Sequence, residues 1–455
     1  MTSYNISFSG AVDSGKSTLI SVLKNNILDD GKGSARKKIV KHDHELRSGR
    51  TSCVSYNTIC YKNNNIFTFI DLAGHQKYLK NTMYGLNLNL HCMFLIISAN
   101  NGVSIMTKEH FNLARALQIP IIIIINKIDI CPENIINDTL NNIQKLANSK
   151  MGGNKRLHFV ENYDLIHDNN YNKQLFIYET NVISPSIVLN KSITELDNYI
   201  ENINYKKNKT AIDLNHEYPV FCTSCKTGYG IGNLLYYLNN TFIGNLNVNS
   251  ITKGISDLNK EKDNIFIIQE TYQINGVGIV FYGHVKQGLL SKNDKLNIGP
   301  FGDKFYPVSI KNVRDVLDND VDHLYENQSG CILIKQLSKE FTFKRFHIRK
   351  GTYVTSNPFC CQEFIARVFI LHHPTTIKQN YQSTIHCGTV AQAAVIKEII
   401  HIKKNVNMDN NLLRTGDYAK VRFEFMFRPE YIKNDSLFVF RENHAKGIGK
   451  ILSTM

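Results

Sequence analysis

The stretch GAVDSGKST runs from Gly10 to Thr18, between a strand-like run (YNISFS) and a helix-like one (TLISVLKN). Strand, GxxxxGK[ST] and helix in that order are what a phosphate-cradling loop requires. Gly10 and Gly15 allow a tight turn and a close approach of backbone to an anion. The amides of the loop, which includes Asp13, Ser14 and Thr18, and the helix N-terminus then face the phosphates. Lys16 is expected to reach the β- and γ-phosphates, and Ser17 to ligate Mg²⁺. This loop alone does not separate ATP from GTP.

A second stretch, INKIDI, ends the run IPIIIIIN and sets Asn126, Lys127 and Asp129 at the end of a strand. Open α/β sheets bind ligands beyond the carboxyl ends of their strands. A carboxylate only accepts hydrogen bonds. Guanine offers N1–H and a 2-amino group side by side, and adenine offers neither. A buried Asp129 facing adenine would be left unpaired, at a cost on the order of a few kcal/mol. Asn126 can tie this loop to the phosphate loop, and the Lys127 stem can cover one face of the base. Farther on, TSCKTG (Thr223 to Gly228) supplies Ser224, Cys225 and Lys226 to close the other side of the guanine.

Between these two lies DLAGHQKYLK, Asp71 to Lys80, after the strand-like NIFTFI. Asp71 is expected at a strand end, where it can hold a Mg²⁺-bound water, and the Gly74 amide can point at the γ-phosphate. His75 then projects toward the place of an attacking water. Phosphoryl transfer needs mainly positioning and charge stabilisation, so an imidazole there is expected to be catalytic. Upstream, ARKKIVKHDHELRSGRTSCVS (Ala35 to Ser55) has the place and character of a first switch segment. Thr51 is expected to give its hydroxyl to Mg²⁺ and its amide to the γ-phosphate. Lys37 to Lys41 equally read as a solvated basic helix. The expected metal set is Ser17, Thr51 and Asp71.

Such residues need a sheet to hold them and a chain long enough to bury it. The 455 residues suit two to four domains. Hydrophobic residues make up 42% and charged ones 20%, as in soluble globular proteins. A nucleotide-binding domain is expected over 1–247, with an Asn-rich insertion at about 155–210, then a linker over 248–262. From Ile265 the pattern changes to short β-rich runs (NIFIIQETYQI, GIVFYGHV, KLNIG, YPVSIKNV) separated by Gly, Asn and Asp turns. That reads as antiparallel barrels. The pattern restarts at SNPFCCQEFIARVFIL, so two barrels are expected, over 263–358 and 359–455.

The net charge is +14, and +7 of it lies in residues 261–455. Basicity spread in this way suits a polyanion such as RNA, or equally a Lys-rich proteome. The ten cysteines are scattered, no signal peptide opens the chain, and no apolar run reaches membrane-spanning length. A reducing, cytosolic protein with free thiols and no membrane partner is expected. CTSC (Cys222 to Cys225) has no second Cys pair at zinc-finger spacing. His372, His373, His386, Cys387, Cys360 and Cys361 fit no standard zinc spacing and read as barrel packing. KRFHIRKG (Lys344 to Gly351) reads as an RNA contact or a solvated strand end.

Taken together, these motifs resemble the elongation factor Tu and elongation factor 1-alpha superfamily, for which a histidine directly after DxxG is the mark. Within it the likeness is greatest to the GTP-binding protein 1 and 2 group of eukaryotes. ELRSGRTS, DLAGHQKYLKNTMYG, NKIDICPENI, GVGIVFYGHVKQG, LHHPTTI, YQSTIHCGT, RTGDYAKVRF and LFVFRENHAKGIGKI carry it, across nearly the whole chain. The resemblance implies an α/β P-loop GTPase domain followed by two antiparallel β-barrel domains. It implies GTP and GDP as ligands with Mg²⁺, hydrolysis of GTP, tRNA and the ribosome as partners, and a cytoplasmic monomer. Two other roles stay open: a ribosome-rescue or termination GTPase that carries a protein, and a regulatory switch that scaffolds RNA-decay machinery. Arg50 stands before Thr51 where elongation factor Tu has an apolar gate residue. A two-sided apolar gate with Val12 around His75 is therefore not assumed.

Overall fold

The computed structural model describes residues 2–40, 45, 51–60, 65–86, 90–149, 152–160, 214, 216–238, 263–338, 347–371, 373–403, 412–442 and 445–455. Most of the expected insertion (161–210), the linker (248–262), Lys41, Arg50, Lys344 to Phe346 and His372 lie outside these residues.

The isoleucine-rich run forms β5 (Ile121–Asn126), and with β4 (Cys92–Ser98) it is buried along its whole length. Strands that read as continuous apolar runs sit between two covering layers. The sheet also contains β1 (Thr2–Gly10), β2 (Ser55–Cys60), β3 (Asn65–Asp71), β6 (Arg156–Phe159) and β7 (Glu217–Thr223), in the order β2-β3-β1-β4-β5-β7-β6. Only β2 runs antiparallel, at one edge against β3; the other neighbours are parallel.

Helices α1 (Lys16–Asn25), α2 (Ser34–Lys37), α3 (Leu79–Leu86), α4 (Ile105–Ala116), α5 (Glu133–Ala147) and α6 (Ile231–Tyr236) connect the strands. In α5 the buried Ile136, Leu140, Ile143 and Leu146 recur at helical spacing and form its inner face. Ser104 caps α4, its hydroxyl accepting the Thr107 amide. Parallel strands end together. Ser98 pairs with Asn126, and Asn126 with Thr223. The loops after β1, β3, β5 and β7 therefore open on one edge of the sheet, where a doubly wound fold binds its ligand.

Residues 1–86 and 90–251 form one compact unit, and residues from 252 onward belong to a second. The second unit holds both barrels. The first is built from β8 (Ile265–Ile274), β9 (Gly278–Gln287), β11 (Lys295–Phe301), β12 (Lys304–Asp315), β14 (Ser329–Gln336) and β15 (Tyr353–Thr355), closed in the order β11-β12-β14-β9-β8-β15. A small ribbon of β10 (Leu289–Ser291) and β13 (His323–Tyr325) accompanies it. The second barrel is built from β16 (Glu363–Ile370), β17 (Gln382–Cys387), β18 (Val390–Lys403), β19 (Tyr418–Phe425), β20 (Leu437–Arg441) and β21 (Ala445–Thr454), closed in the order β16-β19-β18-β17-β20-β21. Burial alternates along β16 and β19, the period-2 signature of a strand with one face on a core.

Phe364 stacks on Phe423 and meets Phe438 edge-on in the second core. Cys361 and Cys387 belong to that core, and His386 is buried. No group of three or more His, Cys, Asp or Glu side chains among the described residues could hold a metal. The barrels meet where Tyr431 packs on Tyr353 and Phe359, with ring centroids 4.5 and 4.7 Å away. Thr389 donates to the Gly351 carbonyl across the same junction. All ten cysteines are free. No helix among the described residues is long and apolar enough to cross a membrane.

A candidate nucleotide site

The turn after β1 is shaped by backbone that only certain residues tolerate. Gly10 and Gly15 have φ of 143° and 93°, and Asp13 sits at 60°. A Cβ on Gly10 would lie 2.2 Å from the Ile96 carbonyl oxygen, and one on Gly15 would lie 2.3 Å from Asn126 Nδ2. Glycine is therefore required sterically as well as conformationally. Lys16 folds back over the loop and donates from Nζ to the Gly10 and Ala11 carbonyls, at 3.2 and 2.6 Å. Ser14 donates to the Ala11 carbonyl at 3.0 Å. Burial pulls the Lys16 ammonium down to about 8, although Asp71 and Asp13 oppose the shift.

At the mouth of the same turn three oxygen-bearing side chains meet. Ser17 Oγ donates to Asp71 Oδ2 at 2.5 Å and lies 3.0 Å from Thr51 Oγ1, which is 3.4 Å from the same carboxylate oxygen. Asp71 is buried, and its Oδ1 has no hydrogen-bond partner. Burial raises the carboxyl above its usual range, against the Ser17 hydroxyl and Lys16. Hard oxygen donors around a carboxylate with an unsatisfied oxygen suit Mg²⁺, so the expected metal set fits that ion.

Gly74 closes against the phosphate loop, since a Cβ there would meet Lys16 Nζ at 2.6 Å and the Gly10 carbonyl at 2.7 Å. His75 follows, half-buried, and its Nδ1 accepts the Lys77 amide at 3.1 Å. With Nδ1 accepting, Nε2 is the ring nitrogen that can carry a proton and donate.

At the other end Asn126 Nδ2 donates to the Ser14 carbonyl at 3.2 Å, tying the two loops together. Its Oδ1 accepts from Thr223 at 3.3 Å. Ser224 Oγ donates to Asp129 Oδ1 at 2.6 Å and accepts the Thr227 amide at 3.1 Å. Lys127, at φ 64°, starts the short turn that presents Asp129.

A cleft of about 340 Å³ joins the two ends. Asp13, Gly15, Lys16, Ser17 and Thr18 line its floor; Thr51, Gly74 and His75 line one end; Asn126, Lys127, Asp129, Cys225 and Lys226 line the other. Gly10, Ser14, Asp71 and Ser224 stand behind this wall and support it through the contacts above. Val12 lines the cleft with His75.

Several neighbours carry no signature at the level of sequence. Asp29, Gly31, Lys32, Gly33 and Arg36 also line the cleft. Glu45, 5% exposed, accepts the Ser52 amide at 2.7 Å, the Ser52 hydroxyl at 2.8 Å and the Cys53 amide at 3.3 Å. Asn81 donates to the Ser52 carbonyl at 2.8 Å. His110 Nδ1 accepts the Gly10 amide at 3.0 Å from within the core.

Comparison with known proteins agrees with this geometry. The family model for the elongation factor Tu GTP-binding domain matches residues 1–243. GTP-binding protein 1 of Xenopus laevis is 34% identical over 97% of the chain, and human GTP-binding protein 2 is 30% identical over 97%. The chain spans 62% of the first of these and 68% of the second. Among solved structures, elongation factor SelB of Methanococcus maripaludis, in complex with the GTP analogue GppNHp, superposes with a TM-score of 0.64. That match covers all of this chain and 80% of the other at 15% identity, a likeness of fold. The chain belongs to the family of the elongation factor Tu GTP-binding domain, within the translational GTPase superfamily.

Proposed function

We propose that the chain binds GTP in this cleft and hydrolyses it to GDP and phosphate, as a translation-factor-like switch that handles tRNA on the ribosome. The observation that carries this reading is the convergence of Ser17, Thr51 and Asp71 beside Lys16 and His75 at one end of a cleft whose other end presents Asp129 held by Ser224.

Asp129 would accept the guanine N1–H and 2-amino hydrogens, with Ser224 fixing its carboxylate. The loop amides and Lys16 would hold the phosphates. Mg²⁺, held by Ser17 and Thr51 with Asp71 behind them, would neutralise charge between the β- and γ-phosphates. His75 would orient the attacking water through Nε2, because Nδ1 already accepts the Lys77 amide. The water oxygen bonds to the γ-phosphorus as the bond to the β–γ bridging oxygen breaks. That oxygen leaves on GDP with the electron pair, and the water proton passes to phosphate. With the γ-phosphate gone, Thr51 and Gly74 lose the group that holds them, and both segments are released.

For the RNA partner the support is the family and the net charge of +14. Filter binding of aminoacylated tRNA is the test. A non-hydrolysable GTP analogue should tighten it by at least about tenfold over GDP, roughly 1.4 kcal/mol of coupling. Affinity should also fall steeply with salt. Equal affinity in both nucleotide states, with equal salt slopes, would leave the charge as a nonspecific surface and remove tRNA as the cargo.

A further inference from the structure

The cleft has a wall that no motif marks. Asp29, Gly31, Lys32 and Gly33 belong to it. One end of the wall is tied to the base end of the cleft. The Asp29 amide donates to the Cys225 carbonyl at 2.9 Å, and a Cβ on Gly31 would lie 3.4 Å from Lys226 Cδ. The other end is tied to α1, where Ser21 Oγ donates to the Ala35 carbonyl at 2.5 Å. Ser21 stands about one helical turn beyond Ser17 on α1. The wall thus runs from the loop that closes on guanine toward the helix that carries the phosphate loop. In a nucleotide the sugar joins the base to the phosphates, so it is the sugar that lies along such a wall.

Two neighbouring carboxylates shape it. Asp29 Oδ2 accepts the Gly31 and Gly33 amides at 2.9 and 3.2 Å, and its Oδ1 accepts the Ala35 amide at 2.9 Å. Asp30 Oδ1 accepts the Lys32 and Ser34 amides at 2.8 and 3.2 Å. Successive amides are therefore all turned onto carboxylates. In a trans peptide the C=O points opposite to the N–H, so the carbonyls of this stretch point away from those carboxylates. Among the described residues, the carbonyls of Gly31, Lys32 and Gly33 accept no hydrogen bond. The space beside Gly33 is open, since a Cβ there would meet nothing within 4 Å. The backbone of the wall thus offers acceptors and no donors. A phosphate is itself only an acceptor and is a poor partner for carbonyls. A ribose brings two hydroxyl donors. We propose that the carbonyl oxygens of residues 31–33 accept the 2′- and 3′-hydroxyl hydrogens of the ribose, and that Asp29 and Asp30 are positioning residues that aim them. The cleft then selects ribonucleotides over nucleotides that lack these hydroxyls.

This inference rests on the proposed binding of a guanine nucleotide in the cleft. The test is calorimetric titration of the full chain with GDP and with 2′,3′-dideoxy-GDP, in wild type, Asp29→Ala and Asp30→Ala. Wild type should bind the dideoxy analogue at least about tenfold more weakly, because two hydrogen bonds are lost. A smaller difference overturns the proposal. Asp29→Ala frees the amides of the wall, so GDP should weaken while the analogue hardly changes, and the preference should fall below about threefold. Asp30 is exposed and outside the cleft lining, so Asp30→Ala reads the same effect should Asp29→Ala fail to fold, and it should at least about halve the preference. Equal weakening of GDP and the analogue in the variants overturns the positioning role, since both residues would then serve the fold alone. ADP and 2′,3′-dideoxy-ADP are titrated alongside. ADP binding as tightly as GDP would sink the guanine reading, and the loss on removing the hydroxyls would still decide the sugar contact. Binding of none of the four would remove both readings.

Discussion

Glu45 accepts two hydrogen bonds from Ser52, one from its amide at 2.7 Å and one from its hydroxyl at 2.8 Å. Ser52 follows Thr51, and Asn81 of α3 holds the Ser52 carbonyl from the other side. A buried carboxylate and a helix from the segment after His75 thus fasten one residue between them. Glu45→Ala should remove that clamp and leave buried donors unpaired, at about 1–3 kcal/mol. Because the clamp bears on Thr51, affinity for a non-hydrolysable GTP analogue should fall about tenfold or more while GDP affinity changes little. Calorimetric titration of both nucleotides checks this. An equal loss for both would mean that Glu45 serves the fold alone.

The base end gives a second prediction. Asp129→Asn should weaken GTP by at least about tenfold and admit xanthosine triphosphate, whose 2-oxo group accepts where guanine donates. Ser224→Ala should weaken GTP more mildly, by about 0.5–1.5 kcal/mol, because it removes the hydrogen bond that orients Asp129. Wild type binding ATP as tightly as GTP would end the assignment of Asp129.

His75→Ala should leave GTP affinity nearly intact and slow hydrolysis by about 10²–10⁴-fold, the range of a positioned acid or base. The assay is single-turnover hydrolysis, with and without ribosomes. An unchanged rate would reduce His75 to the start of a turn.

Stability should depend on pH through imidazoles that fold in neutral form. Burial pulls His110 and His284 down to about 3 and His91 to about 4, with Lys16 adding to the effect at His110 and Lys286 at His284. Unfolded histidines titrate near 6.5. Between that pH and the folded values the unfolded chain binds more protons, so this stability is complete above about pH 6.5 and is lost as the pH falls. At pH 5 each site should cost about 2 kcal/mol relative to pH 7. Urea midpoints measured at pH 7 and pH 5 should differ accordingly, and His284→Gln should shrink the difference.

His110 adds a prediction about the phosphate loop. Its Nδ1 accepts the Gly10 amide, which fixes the point where β1 gives way to the turn. His110→Ala leaves that amide buried and unpaired. GDP and GTP affinities should drop together by about tenfold, without a change in the preference for guanine. Calorimetry with GDP, GTP analogue and ATP distinguishes this from a change in base selection.

The amino-acid sequence by itself determined the residues of the cleft that belong to compact motifs. Gly10 to Thr18, Asp71 to His75 and Asn126 to Asp129 each place their groups within a few residues of a strand end, so local chain geometry already sets what they can reach. Ser224 was legible too, although it stands 95 residues from Asp129, because it sits in a recognisable loop after its own strand. The barrels were legible from alternation and turn residues, since a strand with one buried face must repeat every second residue. Other relationships were decided only by the tertiary structure. His110 reaches Gly10 across 100 residues because α4 packs where β1 ends. Nothing in the spacing of a lone histidine on an amphipathic helix announces that contact. Glu45 and Asn81 meet at Ser52 from two separate segments whose approach depends on the folding of both. Arg36 lines the cleft on a segment that no motif marks, with Ala35 before it fastened to Asp29 and Ser21. Motifs encode groups whose positions follow from the local backbone, whereas contacts between distant elements follow from packing, which no short stretch of sequence contains.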